Sequence, residues 1–451
     1  MTRPGRDFVR LGCGSAFPGD RIQPAIDLVE HADLDFLSLE CLGERTLSLA
    51  QLQRMDRPDA GYDDRLDEKT RRLIALCVQK KVRFVSNMGA ANPLGGAERI
   101  AMLLREQGLT GVKIAAITGD DVLATLSTQP FAIPESSTRW DELPGRVICA
   151  NAYIGIEGIL SALAADADIV IGGRLADPTM YLGPAAFALD WSPSDWEQMA
   201  AGQCTGHLME CGALVTGGYL ADPPYLTVPD LWNLGNPIAD VRRDRSSEIW
   251  KLPGTGGAVN VNTCRAQLLY EIHDPSAYLT PDVSLDVTQV TFEEVAPNRV
   301  RVENAHGRPR PDTLKVLIGV HEGFLGQAEI SFGGLGALDR ARLAADTVQR
   351  RLAHDGFKEG EILVELIGHD SLLGPPPAHL GYGDPWEVRL RMAARCKTQA
   401  AAQELGQEVF LQYCGPAGGG GAAPSVRPIL GMHATAIARE QVPIHVTYFR
   451  S

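Results

Sequence analysis

The stretch GQCTGHLMECG, residues 202–212, places four side chains that can do chemistry within eight positions. Cys204, His207 and Cys211 are donor types that Zn²⁺ accepts, and Glu210 lies beside them. On a helix, His207 is three residues from Glu210 and four from Cys211, so these side chains lie close together. The stretch therefore allows three interpretations: a metal site, an acid–base pair of His207 and Glu210, or two buried thiols beside a polar turn.

Zinc is the weaker of the two functional interpretations. Structural zinc sites usually draw two ligand pairs from separate segments, and no second pair stands out in this sequence. We therefore predict no metal and no cofactor, and keep zinc as a minority hypothesis. For each residue alone a structural role is the more common outcome, and Cys204 and Cys211 are expected to pack. The preferred chemistry is proton transfer by His207, with Glu210 orienting it or acting itself.

A second candidate is GGRLADPT, residues 172–179, after a predicted strand. Asp177 precedes Pro178, which is typical of a helix N-cap followed by proline. The guanidinium of Arg174 can hold a carboxylate or phosphate, assisted by the helix N-terminus. The structural and functional interpretations are compatible. We predict Asp177 as a catalytic carboxylate and Arg174 as a ligand of the substrate.

These candidates need a scaffold, and the first half of the chain predicts alternating strands and helices. Apolar runs such as VKIAAITG (112–119) and DIVIGGR (168–174) alternate with helical patterns such as GGAERIAMLLREQG (95–108). Near-continuous apolar strands joined by helices indicate a parallel sheet covered on both faces. The fold class is therefore α/β, with a doubly wound N-terminal sheet and a partial barrel as the alternative.

Polar, glycine-rich loops follow several of these strands. SNMGAAN (86–92) and CANAYIG (149–155) are two of them. Ligands bind at the carboxyl edge of parallel strands, so Asn87 and Asn151 are predicted to contact the substrate. Tight turns alone explain each loop singly, but several such loops at one edge are more than turns require.

The pattern changes near residue 282. Alternating strands such as LDVTQVTFEEV (285–295) are followed by two strand–helix–strand sets, which predict a C-terminal α+β domain with a ferredoxin-like arrangement. We therefore predict two domains, an α/β parallel-sheet domain over 1–280 and a split βαβ domain over 281–451.

Five glycines in seven residues begin the segment GPAGGGGAAPSVR (415–427). Such a backbone can approach a ligand closely and present N–H groups to an anion. The segment matches neither common nucleotide-binding motif, and a flexible loop is the alternative. We predict Gly418, Gly419 and Gly420 as substrate ligands.

Composition narrows the class of protein. The net charge is −14 with no basic block, which disfavours nucleic-acid binding. No apolar run approaches the roughly 20 residues that span a bilayer, and the first residues lack the pattern of a secretory signal. Nine cysteines without a regular framework indicate reduced thiols. We expect a cytoplasmic protein that binds neither nucleic acid nor membrane and forms a homo-oligomer.

Four segments together resemble the acyclic terpene utilisation family, AtuA. They are CANAYIGIEGILSALAADADIVIGGRLADPT, CTGHLMECGALVTGGY, PDTLKVLIGVHEGFLGQAEISF and GPAGGGGAAPSVR. The resemblance spans nearly the whole chain. It implies bacterial catabolism of citronellol and geraniol, in which acids are handled as coenzyme A thioesters. It assigns no catalytic residues and leaves Glu40 and Glu44 open as members of the site.

The leading functional hypothesis is a hydratase or dehydratase for an unsaturated or hydroxylated carboxylic acid or its acyl-CoA thioester. Such chemistry needs an acid, a base and a group that holds the oxyanion, and it needs no redox cofactor. Cleavage of a C–C or thioester bond is the alternative reaction. A non-catalytic ligand-binding or accessory subunit of an acyl-CoA-processing complex is the alternative of another class.

Overall fold

The structure is a computed structural model that describes residues 7–128, 132–134, 138–357, 362–374, 383, 385–414 and 419–451. The strands are β1 (Phe8–Ser15), β2 (Phe36–Leu39), β3 (Arg83–Ser86), β4 (Lys113–Thr118), β5 (Ala132–Ile133), β6 (Thr138–Arg139), β7 (Arg146–Ala152), β8 (Ile169–Gly172), β9 (Pro237–Arg242), β10 (Ser247–Lys251), β11 (Tyr278–Leu279), β12 (Ser284–Asp286), β13 (Thr291–Ala296), β14 (Arg299–Glu303), β15 (His306–Arg308), β16 (Thr313–Gly333), β17 (Leu363–Ile367), β18 (Glu387–Cys396), β19 (Gly420–Ala438) and β20 (His445–Arg450).

The α-helices are α1 (Gln23–His31), α2 (Glu44–Asp56), α3 (Leu66–Lys69), α4 (Ala75–Lys80), α5 (Pro93–Glu106), α6 (Leu123–Leu126), α7 (Glu157–Ala164), α8 (Thr179–Leu189), α9 (Trp196–Glu210), α10 (Val261–Leu269), α11 (Ala337–His354) and α12 (Gln399–Phe410). One π-helical turn, Thr70–Ile74, joins α3 to α4. Within the described ranges no helix has both the length and the apolar character that crossing a bilayer requires.

A large mixed sheet organises the N-terminal part of the chain. Its ten strands run in the order β13-β14-β10-β9-β1-β2-β3-β8-β4-β20. The strands from β1 to β4 in this order pair in parallel, as the alternation of strands and helices predicts. Antiparallel strands extend both edges, through β9 beside β1 and β20 beside β4. The α/β class is therefore confirmed with a mixed sheet, whereas the doubly wound and partial-barrel descriptions stay predictions.

The parallel strands are short and buried because helices cover them. All residues of β2 and β8 are buried. Their apolar side chains pack in a core with those of α1, α5 and the α3–α4 region, including Leu34, Leu37, Phe84, Ile100 and Ile171. This core fixes where each strand ends, and thereby where the polar residues after β2, β3 and β8 lie.

Contacts divide the chain into two compact units. The first comprises Met1–Trp140, Ile148–Ile318 and Met432–Ser451, and the second comprises Asp141–Val147 and Gly319–Gly431. The second unit contains the helices α11 and α12, the strands β17 and β18, and most of β16 and β19. Its strands form a sheet in the order β17-β18-β16-β19. The predicted boundary between residues 280 and 281 and the ferredoxin-like description stay predictions.

Candidate functional site

The carboxylate of Asp177 is a centre of polar contacts in the first unit. Arg174 Nη2 donates to Asp177 Oδ2 over 2.9 Å, and Asn87 Nδ2 donates to Asp177 Oδ1 over 3.1 Å. Asn87 follows β3 and Asp177 lies in the loop after β8, and these two strands pair in parallel. Their carboxyl ends therefore meet at one edge, which brings the two predicted site residues together.

The cap prediction for Asp177 is wrong. Helix α8 begins at Thr179, its N-cap residue is Pro178, and no side chain caps it. The physical reason is competition, since Arg174 and Asn87 already hold both carboxylate oxygens of Asp177. The carboxylate is 22% exposed, so it remains open to a ligand.

Arg174 is buried, and its side chain holds neighbouring groups in place. Its Nη1 donates to the carbonyl oxygen of Leu42, and its Cζ lies 4.2 Å from the ring centroid of Tyr153. Burial opposes the charge of Arg174, but Asp177 and other neighbours outweigh it, so its pKa lies above the usual range. Arg174 therefore keeps its charge at every physiological pH. The prediction that Arg174 binds substrate stays a prediction.

Asn151 lies one contact further from Asp177. Its Nδ2 donates to Asp120 Oδ2 over 2.8 Å, and the backbone N–H of Arg174 donates to the same oxygen over 2.9 Å. Asp120 and Asn151 are both buried. Asn151 thus stabilises the loop that carries Arg174, while its predicted contact with substrate remains untested.

Helix α9 places most of the stretch 202–212 against the loop that carries Asp177. Asp195 caps the helix by accepting from the backbone N–H groups of Glu197 and Gln198. At Gly206 a Cβ would stand only 2.4 Å from the carbonyl oxygen of Pro178. Glycine at this position therefore permits the close approach of α9 to the residue that follows Asp177.

His207 and Glu210 are in contact, as their helical spacing predicts, while their acid–base role stays a prediction. His207 Nδ1 lies 2.7 Å from Glu210 Oε1, and both residues are buried. The backbone carbonyl of His207 accepts from Gln267 Nε2 over 3.0 Å, which fixes this turn of the helix. Among the described residues neither His207 Nε2 nor Glu210 Oε2 has a hydrogen-bond partner.

Electrostatics link this pair to Asp177. Burial raises the pKa of Glu210, His207 opposes that rise, and the charge of Asp177 adds to it. Burial disfavours the imidazolium of His207, but Glu210 outweighs burial and the pKa of His207 is raised. Burial also raises the pKa of Glu40, as do the charges of Asp177 and Glu210. Protons are therefore readily held at this centre near neutral pH.

Cys204 and Cys211, the other possible zinc ligands in residues 202–212, do not converge on one point with His207. Burial raises the pKa of Cys204 to about 12, and nearby Cys264 adds to this rise. Cys211 is partly exposed and ends the helix as its C-cap. In the part of the chain that the structure describes, no group of three or more His, Cys, Asp or Glu side chains has the arrangement of a metal site. The zinc and cofactor predictions remain open.

A cavity of about 420 Å³ adjoins Asp177. Its lining combines apolar groups with a few polar ones: Pro134, Tyr153, Ala176, Asp177, Pro178, Gln203, Tyr278, Leu279, Thr280, Pro281, Pro311, Thr313, Leu314, Lys315, Ala434, Thr435 and Ala436. The His207 ring packs edge-on against the Tyr278 ring, with centroids 5.4 Å apart. Asp177 thus borders the cavity directly, whereas His207 lies behind Tyr278 of the cavity wall.

Gln203 was not predicted, and it is the most informative residue of this wall. It is fully buried, yet neither Nε2 nor Oε1 has a hydrogen-bond partner among the described residues. A buried amide without partners costs about 1–3 kcal/mol, so such groups usually have a function. Gln203 is four residues from His207 on α9, and this helical spacing is the signal that could have identified it.

Tyr153, Tyr278 and Lys315 were also missed, because they come from distant parts of the chain. Tyr153 OH donates to Glu44 Oε1 over 2.7 Å. Lys315 Nζ lies 4.9 Å from the ring centroid of Tyr153 and forms no ion pair with a described residue. The cavity wall therefore includes a cation available to an anionic ligand.

Two of the three glycines that were predicted to bind substrate lie outside the first compact unit. Gly419 and Gly420 lie in the second compact unit, where Gly420 begins β19. A Cβ at Gly419 would stand 2.5 Å from Ile330 Cδ1, so glycine there serves close packing within that unit. Gly418 lies outside the described residues. Their role in substrate binding stays a prediction.

Comparison with known proteins gives one match. The family model described as acyclic terpene utilisation family protein AtuA matches residues 9–448. No curated protein and no solved structure matches the chain.

Proposed function

Since the chain belongs to the acyclic terpene utilisation family, we propose that it is an enzyme of acyclic terpene catabolism that adds or removes water. Its substrate would be an unsaturated or hydroxylated carboxylic acid or the acyl-CoA thioester of one. One observation supports this proposal most directly: Asp177 lines a cavity of about 420 Å³ together with Gln203, whose amide has no hydrogen-bond partner among the described residues.

Asp177 supports the proton-transfer part of the proposal. Burial raises its pKa, and Arg174 opposes that rise. A carboxyl group with a raised pKa holds its proton more readily than a free aspartate does, and this suits general acid–base catalysis. Arg174 and Asn87 hold both carboxylate oxygens, so the direction of the group is fixed before substrate binds.

His207 and Glu210 supply the second proton-transfer group. Hydration needs an acid and a base, and the 2.7 Å contact between the two side chains keeps one proton shared between them. Tyr278 packs against His207 and lines the cavity. We propose that His207 and Glu210 set the protonation of the Asp177 centre from behind Tyr278.

Binding of an acyl substrate follows from the rest of the wall. Leu279, Leu314 and Ala436 offer an apolar surface for a hydrocarbon chain. Lys315 is exposed and can pair with a carboxylate or a coenzyme A phosphate. The Gln203 amide can donate to a carbonyl oxygen and accept from a hydroxyl group, and this would hold the oxyanion in place of the glycine-rich loop.

The test is incubation of purified protein with a panel of enoyl-CoA and hydroxyacyl-CoA thioesters and the corresponding free acids. Mass spectrometry would detect water addition or loss, and Asp177→Asn, which keeps the size of the side chain, is the matched variant. We expect turnover with the wild type and its loss in the variant.

Two outcomes would contradict the hydro-lyase. Turnover that yields two fragments would favour cleavage of a C–C or thioester bond. A ligand-dependent rise in melting temperature without turnover would favour a binding or accessory subunit. Homo-oligomerisation, a cytoplasmic location and the absence of a cofactor stay predictions.

A further inference from the structure

A second buried cluster, the Lys69 cluster, comprises Lys69, Asp63 and Cys41. Lys69 Nζ lies 2.5 Å from Asp63 Oδ2 and 3.2 Å from Cys41 Sγ, and it donates to the carbonyl oxygen of Pro18 over 3.2 Å. The side chains of Lys69 and Asp63 are 3% and 1% exposed. A primary amine and a thiol are thus held in contact within the protein.

Local structure fixes this contact. Cys41 follows β2, where its backbone N–H donates to Asn87 Oδ1 over 2.7 Å. Asp63 precedes α3, and its backbone N–H donates to the carbonyl of Met88 over 2.9 Å. Lys69 is the last residue of α3. All three residues are anchored by the backbone, so the amine and the thiol cannot easily separate.

A cavity of about 240 Å³ gives a small molecule access to the cluster. Cys41 and Asp63 are part of its wall, together with Leu42, Thr46 and Tyr62. This volume exceeds that of hydrogen peroxide by several times, since one water occupies about 30 Å³ of liquid. The thiol therefore borders space that a peroxide can enter.

We propose that Cys41 and Lys69 are the site of a reversible oxidative cross-link. Hydrogen peroxide oxidises the Cys41 thiol to a sulfenic acid and is reduced to water. The neutral Lys69 amine then attacks this sulfur, so that an S–N bond forms, the S–O bond breaks and a second water leaves. Alternatively, a second hydrogen peroxide oxidises the neutral Lys69 amine to a hydroxylamine and is reduced to water. The hydroxylamine oxygen then attacks the sulfenic sulfur, so that an S–O–N bridge forms, the S–O bond of the sulfenic acid breaks and a third water leaves.

The charges of the cluster suit the second step. Burial raises the pKa of Cys41, and the ammonium of Lys69 opposes that rise. Burial lowers the pKa of Lys69, but Cys41 and Asp63 outweigh burial and hold it charged. The Cys41 thiol is uncharged at physiological pH because its pKa is raised, and the sulfenic acid is uncharged as well, so the amine must lose its proton to another group. Asp63 Oδ2, 2.5 Å away, can accept the proton that the amine must lose.

The cross-link would lie close to the Asp177 centre. Cys41 donates through its backbone N–H to Asn87, and Asn87 donates to Asp177. A covalent bond must shorten the 3.2 Å separation of Nζ and Sγ, which pulls on the residue that positions Asn87. Oxidation should therefore change the geometry of Asp177 through two hydrogen bonds.

Peptide mapping tests the cross-link directly. The full chain is treated with hydrogen peroxide, blocked with a thiol-alkylating reagent under denaturing conditions and digested with trypsin. We expect peptide 22–45 joined to peptide 66–71, because a modified Lys69 resists trypsin. The linked mass should be about 2 Da below the sum for an S–N bond or about 14 Da above it for an S–O–N bridge. Dithiothreitol should separate the two peptides.

Matched variants separate the cross-link from general oxidation. Lys69→Arg keeps a cation for Asp63 but lacks a primary amine, and Cys41→Ser lacks the sulfur; neither should yield linked peptides. Cys77, which is buried and has no hydrogen bond with Lys69, is the internal control. Circular dichroism would establish that both variants are folded. Oxidised wild type that contains only cysteine sulfinic acid at Cys41, with Lys69 still cleaved by trypsin, would overturn the proposal. This result is independent of any enzymatic activity.

Discussion

Two aspartate–cation pairs lie near the carboxyl edge of the parallel strands and differ in the cation. Asp177 pairs with Arg174, and Asp63 pairs with Lys69. The guanidinium of Arg174 is planar, remains charged and also donates to Leu42. Lys69 is a compact charge that can lose a proton, and it contacts a thiol. The difference teaches that arginine holds a carboxylate in a fixed direction, whereas lysine pairs with a carboxylate through an amine that can lose its proton.

Removing the charge of Asp177 should have the largest effect. Asp177→Asn should lower kcat/KM for the proposed substrate about 10³-fold, or about 4 kcal/mol, because proton transfer at the cavity wall is lost. Steady-state kinetics measure this loss. Asp64→Asn, at an exposed aspartate beside the Lys69 cluster, should leave kcat/KM unchanged. Equal activity of the wild type and Asp177→Asn would show that the Asp177 centre is structural.

Removing the cation of the other pair should act on stability. Lys69→Met leaves Asp63 buried without its partner and should lower the free energy of unfolding by about 3 kcal/mol. The adjacent cavity of about 240 Å³ admits water and keeps this cost at the lower end. Urea unfolding measures it, with Arg72→Met at a partly exposed pair as the control. A loss as small as that of Arg72→Met would mean that Asp63 is solvated.

A buried aspartate without a close cation sharpens the comparison. Asp282 accepts from Thr179 Oγ1 and the backbone N–H of Ile156, and burial raises its pKa to about 6. The folded state then holds a proton that the unfolded state releases near pH 4. The free energy of unfolding should therefore fall by about 2 kcal/mol as the pH rises from 4 to 6, because of Asp282 alone.

Asp282→Asn tests that dependence. The amide does not titrate, so the variant should lose this part of the decline when urea unfolding is followed from pH 4 to pH 6. Asp64→Asn, at an exposed aspartate of α3's preceding loop, is the control. Identical pH profiles for the wild type and Asp282→Asn would show that Asp282 remains ionised in the folded protein.

The smallest predicted effect concerns Gln203. Gln203→Met removes the unpartnered amide at similar volume, so it should raise the free energy of unfolding by about 1 kcal/mol and raise KM about tenfold. Gln267→Met, which loses the bond to the His207 carbonyl, should instead destabilise. Denaturant unfolding and kinetics together decide the matter. A destabilised Gln203→Met with unchanged KM would assign the amide a structural role.

Local patterns predicted the parts of the site that are close in sequence. The spacing of three residues placed His207 and Glu210 together, and the structure confirms their contact. The expectation that Arg174 binds a carboxylate of the substrate stays a prediction, since in the structure its guanidinium pairs with Asp177 of the protein itself. The cap prediction failed because a local pattern cannot show that Asn87, ninety residues away, donates a hydrogen bond to the carboxylate of Asp177.

Other features had no local signal. Lys315 and Tyr278 reach the cavity from segments that are far along the chain from Asp177. Lys69 and Cys41 are 28 residues apart, and nothing in either neighbourhood indicates a contact. Strand β20 pairs with β4 although more than 300 residues separate them. Such contacts depend on how helices and strands pack, and periodicity does not encode that.

The sequence by itself determined the α/β class, the family and the contact between His207 and Glu210 on α9, because hydrophobic period and helical spacing act over a few residues. Tertiary structure alone decided that Asp177 adjoins a cavity, that Gln203 finds no partner there among the described residues, and that Lys69 contacts Cys41. These facts depend on burial, which removes water from polar groups. Whether a group is buried is known only when all of its neighbours are in place.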